Sequence, residues 1–236
     1  MAKQVTKYES DGVTPAESSY DEGTIRDGEA STPRRIWWAN TSTASETLES
    51  CQLAREAIGA NDGLSFLQIA PDLPKAAPGA PSLATAAGSE LEVGLYKYAI
   101  TFLTANGETT AGTEAQISTT GGNERVQLTN IPTGPSGVTK RRIYRTAVGG
   151  SQKMLVYEIA NNTTTEYLDQ IPDASLGAEI PTLNTSGSAG TWQTADITIG
   201  DMAVGDYAAC WMRFNVPADT TQVGNPRRGY VQLEEA

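Results

Sequence analysis

Residues 96–102, YKYAITF, put Tyr96, Tyr98, Ile100 and Phe102 on one face and Lys97, Ala99 and Thr101 on the other. A period of two is the signature of a β-strand, because successive side chains leave a pleated strand on opposite sides. Asn106-Gly107 follows a few residues later, and ANGE suits a tight connection that needs positive φ. The stretch is therefore read as a hairpin, and nothing in it moves a proton or binds a metal.

The pattern recurs along the chain. Short strands are expected at 125–129 (RVQLT), 141–147 (RRIYRTA), 154–160 (MLVYEIA) and 165–169 (TEYLD). Gly, Pro and Asn separate them in TTGGNE, IPTGPSG, VGGSQ and ANNTT. Residues 1–75 add candidate strands at QVTKYES, GTIRDGE, RRIWWANT, ESCQLAREAI and LSFLQIA, and residues 190–236 add WQTADITIG, YAACWMRFNV and GYVQLEE. In YAACWMRFNV, Ala208, Cys210, Met212, Phe214 and Val216 share a face. TLESCQLAREAIGA does not settle its period at Leu48, Cys51 and Leu53; the strand reading is preferred to a helix.

The fold class expected is all-β, with β-sandwich architecture of immunoglobulin or fibronectin-III type. Three C-terminal strands are thin for a core of their own, and five N-terminal strands leave open edges. Pairing the two ends answers both difficulties. The Pro/Ala/Gly-rich APDLPKAAPGAPSLATAAGS (70–89) and the small polar NTSGSAG (184–190) read as joints. We therefore expect a discontinuous outer sandwich of residues 1–75 and 190–236, an inserted sandwich of residues 88–182, and linkers at 76–87 and 183–189. A chain of 236 residues with 39% hydrophobic content can fill two such cores. No internal repeat or heptad pattern is found.

Composition removes several chemistries. Histidine is absent, and with it Ser-His-Asp and Cys-His catalysis. Cys51 and Cys210 are too few for a histidine-free zinc site or a disulfide framework; they are read as buried free thiols, neighbours if the two ends meet. A net charge of −11 argues against tracking nucleic-acid phosphates. No apolar run approaches the roughly 18–20 residues that span a membrane. The start, MAKQVTKYES, lacks the apolar core of a secretory signal, so synthesis and folding in a cytoplasm are expected. On that reading the sequons at Asn40, Asn161, Asn162 and Asn184 are incidental.

The residues that carry chemistry each have a structural counter-reading. Carboxylates are numerous, but none stands in a catalytic motif, so no catalytic residue is assigned. NDG (61–63) and DQIPDAS (169–175) offer oxygens to Ca²⁺, yet neither resembles an EF-hand loop and both read as turns. No metal or cofactor is expected. Basic clusters at Arg34-Arg35, Lys140-Arg141-Arg142 with Arg145, and Arg227-Arg228 split across strand faces, and pairing with the abundant acids is their expected role. Trp37-Trp38 sends one ring into the core and the other outward, and Trp211 falls out of step with the apolar face of its strand. Trp192 is ambiguous in the same way. Burial under a loop is preferred to an outward anchor for these rings. Arg34, Arg35, Trp37, Trp211, Arg227 and Arg228 stand as candidate interface residues.

Three stretches then carry a family likeness: GLYKYAITFLTANGETTAG, VQLTNIPTGPSGVTKRRIYRT and LVYEIANNTTTEYLDQIPDASLG. Residues 88–182 resemble the fibronectin-III-like modules of tail and other structural proteins of tailed bacteriophages. The likeness rests on the Tyr-x-Tyr strand, the Asn-Gly-Glu-Thr turn, the Arg-x-Tyr-Arg strand and the closing Asp-x-x-Leu-Gly. The flanks, DEGTIRDGEASTPRRIWWANTS and WMRFNVPADT, are more loosely similar to small phage β-sandwich proteins. The resemblance implies structural or adhesive work and no catalytic residues.

The function expected is that of a non-enzymatic virion structural protein of tail, baseplate or neck, assembled in the host bacterial cytoplasm. Its partners would be other virion proteins and symmetric copies of itself, with a host-surface glycan as a further candidate and neither nucleic acid nor membrane. A capsid decoration protein and a carbohydrate- or receptor-binding module are the rivals; an enzyme is the remote one.

Overall fold

The structure, a computed structural model, describes residues 5–8, 29–42, 46–57, 67–215 and 229–235. The first strands are β1 (Val5–Tyr8), β2 (Arg34–Asn40), β3 (Leu48–Ala57) and β4 (Leu67–Leu73). Then come β5 (Ser82–Ala86), β6 (Leu95–Thr104), β7 (Gly107–Glu108) and β8 (Ala115–Ser118). After these run β9 (Arg125–Thr129), β10 (Lys140–Thr146), β11 (Lys153–Ile159) and β12 (Tyr167–Asp169). The last are β13 (Ser188–Ala189), β14 (Ile197–Met202), β15 (Tyr207–Phe214) and β16 (Gly229–Glu235). A single 3₁₀ turn, Asp173–Ser175, is the only helical element among the described residues, so none of them forms a helix long and apolar enough to cross a membrane. All strand pairings between these elements are antiparallel.

The chain divides into two compact units, Met1–Leu73 with Ser188–Ala236, and Pro74–Gly187. In the first unit one sheet runs β1-β2-β15-β4-β13 and another β14-β3-β16. β15 alternates as the sequence predicts: Ala208, Cys210, Met212 and Phe214 are buried, and Trp211 and Arg213 between them are less so. Cys210, Met212 and Phe214 pack with Ile36 and Trp38 of β2, Leu67 and Ile69 of β4, and Leu53 and Val231 from the other sheet. Val216 and most of GTIRDGE lie outside the described residues.

β3 is a strand, and it explains its own unsettled period. Ser50 takes φ +51°, and pairing with β14 slips in register around Gly200. The Asp201 carboxylate accepts the Ser50 N–H at 2.8 Å. A bulge of this kind adds a residue to the count, so Leu48, Cys51 and Leu53 all reach the interior although the first two are three positions apart. Both cysteines are buried thiols outside any disulfide, Cys210 in the main cluster and Cys51 in a smaller one with Leu48, Met202 and Ala208.

In the second unit one sheet runs β11-β10-β6-β7, with β8 also on β6, and the other β12-β9-β5. Tyr96, Tyr98 and Ile100 of β6 and Ile143 of β10 meet Val126 and Leu128 of β9 in the core. β6 turns into β7 through Ala105 and Asn106, and Gly107 carries the positive φ, +148°. A Cβ there would collide with Thr185, so glycine is demanded twice over.

The joints differ from expectation. Residues 82–86, expected within a linker, form β5 and pair in full register with β9 from Ser82↔Thr129 to Ala86↔Arg125. The backbone ladder to β9 holds this strand, and Leu83 packs on the core. At the other joint, Thr185 bonds to Glu108, Ser186 to the Lys75 N–H, and Ser188 pairs with Leu73. Composition marked these stretches as polar and small; hydrogen bonding makes them part of the fold.

Candidate functional site

Alternation on β2 and β15 leaves the first unit with a second sheet face, opposite the core, and three sequence candidates meet on it. Arg35 and Trp37 of β2 stand beside Trp211 of β15, with Arg35 and Trp211 paired in register. The Arg35 guanidinium lies 4.2 Å from the Trp37 ring centroid and 5.8 Å from that of Trp211. Asp72 of β4 supplies the counter-charge, accepting from Arg35 at 2.5 Å and from the Trp211 indole N–H at 2.7 Å. Tyr207, half exposed, meets Trp37 edge-on at 6.5 Å.

This is a buried ion pair with aromatic walls. Arg35 is 2% exposed and Trp37 5%. Burial lowers the Arg35 pKa, since desolvation disfavours the cation, and the Asp72 charge works in the opposite sense. On the core side burial, helped by the nearby Asp72 charge and opposed by Lys7, drives the Cys210 thiol well above its ordinary range, which keeps it protonated and unreactive.

Four of the six candidate interface residues lie among the described residues. Arg35, Trp37 and Trp211 come together; Arg34, at the exposed start of β2, shares the opposite side of the strand with Ile36 and Trp38. Arg227 and Arg228 lie outside the described residues. Asp72, which organises the cluster, carries no signal in the sequence because its partners are 37 and 139 residues away. Next to this cluster stands a second aromatic–cation contact. Arg213 of β15 lies 4.3 Å from the Trp192 ring centroid, and its Nε and Nη2 both donate to Gln68 Oε1 of β4, at 3.0 and 2.9 Å.

In the second unit the basic cluster of β10 splits as alternation requires. Arg142 and Tyr144 face Glu108: Arg142 Nη1 donates at 2.6 Å and the Tyr144 hydroxyl at 2.8 Å, while Arg142 and Lys140 also reach Glu158. Arg141 and Arg145 share the interior face with Ile143 and are fully buried. Arg145 donates to Asp169 at 2.8 Å and Asp173 at 2.5 Å. Arg141 differs from the expected pairing with acids. Its guanidinium bonds to the backbone carbonyls of Ile131, Pro132, Asn161 and Thr164, which ties two loops together.

DQIPDAS is indeed a turn. Asp169 accepts from Tyr98, Arg145 and the Ile171 N–H, and Asp173 accepts from Arg145 and the Val148 N–H. Both carboxylates are thus engaged by donors of the chain itself. NDG at 61–63 lies outside the described residues. Set against known proteins, the chain matches no family model, no curated protein and no solved structure.

Proposed function

We propose that this chain is a non-enzymatic structural protein of a tailed-bacteriophage virion, a tail, baseplate or neck component that bridges neighbouring virion proteins. Its two units are immunoglobulin- or fibronectin-III-like β-sandwiches, the second inserted into the first. The insertion is supported by the pairing of Ser188 with Leu73, which brings the exit and re-entry points of the chain side by side.

One observation carries the functional reading. The residues on which the phage-module likeness rests are used on one another. Tyr98 and Arg145 converge on Asp169, Arg145 also holds Asp173 of the closing Asp-x-x-Leu-Gly, and Arg142 and Tyr144 converge on Glu108 of the Asn-Gly-Glu-Thr turn. Thr109 of that turn accepts the Phe102 N–H at 3.0 Å. A motif whose members stabilise each other is what a scaffold module needs; a catalytic motif directs its polar groups at a substrate.

The test is location. Phage particles purified from a lysate producing this chain should contain it in fixed stoichiometry, and imaging should place it in the tail, baseplate or neck. Particles that lack it, alongside a free chain that cleaves a polysaccharide, would sink the proposal. Density for it on the capsid surface would favour a decoration protein instead.

A further inference from the structure

We propose that Trp192, Arg213 and Gln68 form a pre-organised docking site for a carboxylate side chain of a partner protein. In a chain with 28 acidic and 17 basic residues, cations have no shortage of partners. Arg35, Arg125, Arg142, Arg145, Lys97, Lys140 and Lys153 each meet a carboxylate. Arg213 meets none among the described residues; its contacts are one amide oxygen and one indole ring.

Geometry then says which part of the guanidinium is available. Gln68 Oε1 takes the edge made by Nε and Nη2, leaving the edge made by Nη1 and Nη2, with its parallel N–H pair, for another acceptor. That edge matches the two oxygens of a carboxylate. Arg213 and Gln68 face each other across the β15–β4 ladder, and Trp192 is held beside them because Gln193 pairs with Ile69. The Arg213 side chain is therefore fixed before anything binds, which removes most of the entropic cost of ordering a long flexible residue. Neither the Trp192 indole N–H nor the Gln68 amide N–H₂ is given an acceptor among the described residues, so the cluster holds further donors beside the guanidinium.

The occupant is an Asp or Glu of another protein and not a sugar. Sugar binding to tryptophan uses an open ring face, and here the guanidinium covers one face of Trp192. An arginine over a tryptophan ring, with a second tryptophan, Trp211, two residues earlier on the same strand, has the composition of a protein-interface anchor. The site does not depend on the virion reading, which is tested separately by particle composition.

The experiment titrates the full-length protein with a blocked glutamate-containing pentapeptide, its glutamine counterpart and a glucuronic-acid disaccharide, followed by ¹H–¹⁵N spectra of the indole and Arg Nε–H signals. Trp192→Phe assigns the indole resonance. The glutamate peptide should shift the Trp192 and Arg213 signals saturably. Arg213→Gln should weaken that response about tenfold or more, the cost of losing a charged hydrogen-bond partner. Arg213→Lys, which keeps the charge and loses the fork, should weaken it less and serves as the check on folding. Equal shifts with the glutamine peptide, no saturable shift with the glutamate peptide, or a response to the sugar alone would each overturn the proposal.

Discussion

Arg145 on β10 and Asp169 on β12 are both fully buried and share a charge-assisted hydrogen bond of 2.8 Å. The two strands belong to different sheets, so the pair ties one sheet of the second unit to the other. Tyr98 donates to the same carboxylate at 2.7 Å, and burial beside that charge drives the Tyr98 hydroxyl pKa far up, keeping it a donor at every ordinary pH.

Asp169→Ala should destabilise the second unit by about 3–5 kcal/mol, because it strands a buried guanidinium and a tyrosine hydroxyl. Urea unfolding followed by tyrosine near-UV dichroism measures this. Tyr98→Phe should cost less, about 1.5–3 kcal/mol for one hydrogen bond to a charged group.

The Arg35–Asp72–Trp211 cluster should behave as a coupled unit. Asp72→Ala is expected to cost about 3 kcal/mol and Trp211→Phe about 1.5 kcal/mol, with the double variant costing less than their sum. All four tryptophans, Trp37, Trp38, Trp192 and Trp211, lie in the first unit, so tryptophan fluorescence reports its unfolding. Strict additivity would show that the Trp211 bond to Asp72 contributes nothing.

Glu90 is held by Arg125, whose fork lowers its pKa from 4.5 to about 2. The folded-state pKa lies below the ordinary one, so this pair's contribution is complete above about pH 4.5 and is lost as pH falls toward 2. Carboxyl-detected NMR titration should find Glu90 titrating near pH 2, and Arg125→Ala should return it to the ordinary range.

Gly107→Ala should destabilise the β6–β7 hairpin by about 1–3 kcal/mol, since the backbone sits at positive φ and the new methyl meets Thr185. Thermal unfolding reads the loss. An unchanged Tm would mean that the 183–187 segment swings away freely.

A polypeptide of residues 74–187 should fold cooperatively alone, while one of residues 88–182 should be less stable. The shorter piece lacks β5, which pairs with β9 along its whole length, and the segment whose Thr185 and Ser186 bond to Glu108 and Lys75. Equal urea midpoints for the two would refute the structural role of β5.

Local pattern determined much of this protein. Period-two spacing located β6, β9 and β15 within a residue or two, put Trp37 and Trp38 on opposite faces and set Trp211 off the apolar face of its strand; that Trp38 is the ring in the core came from the structure. Those features depend on neighbours in the chain, and side-chain alternation is a property of the strand itself. What only the tertiary structure decided depends on residues far apart. The bulge at Ser50 hid the period of β3 because it needs Asp201, 151 residues away. β5 was invisible because its partner is β9 and its own residues are small. Asp72 became the centre of the tryptophan–arginine face when β15 came to lie between β2 and β4. Arg141 has carbonyls where acids were expected, because its guanidinium lies between the loops that carry Ile131, Pro132, Asn161 and Thr164. A sequence announces which side chains want burial; the partners that satisfy buried charges are chosen by the packing of distant strands.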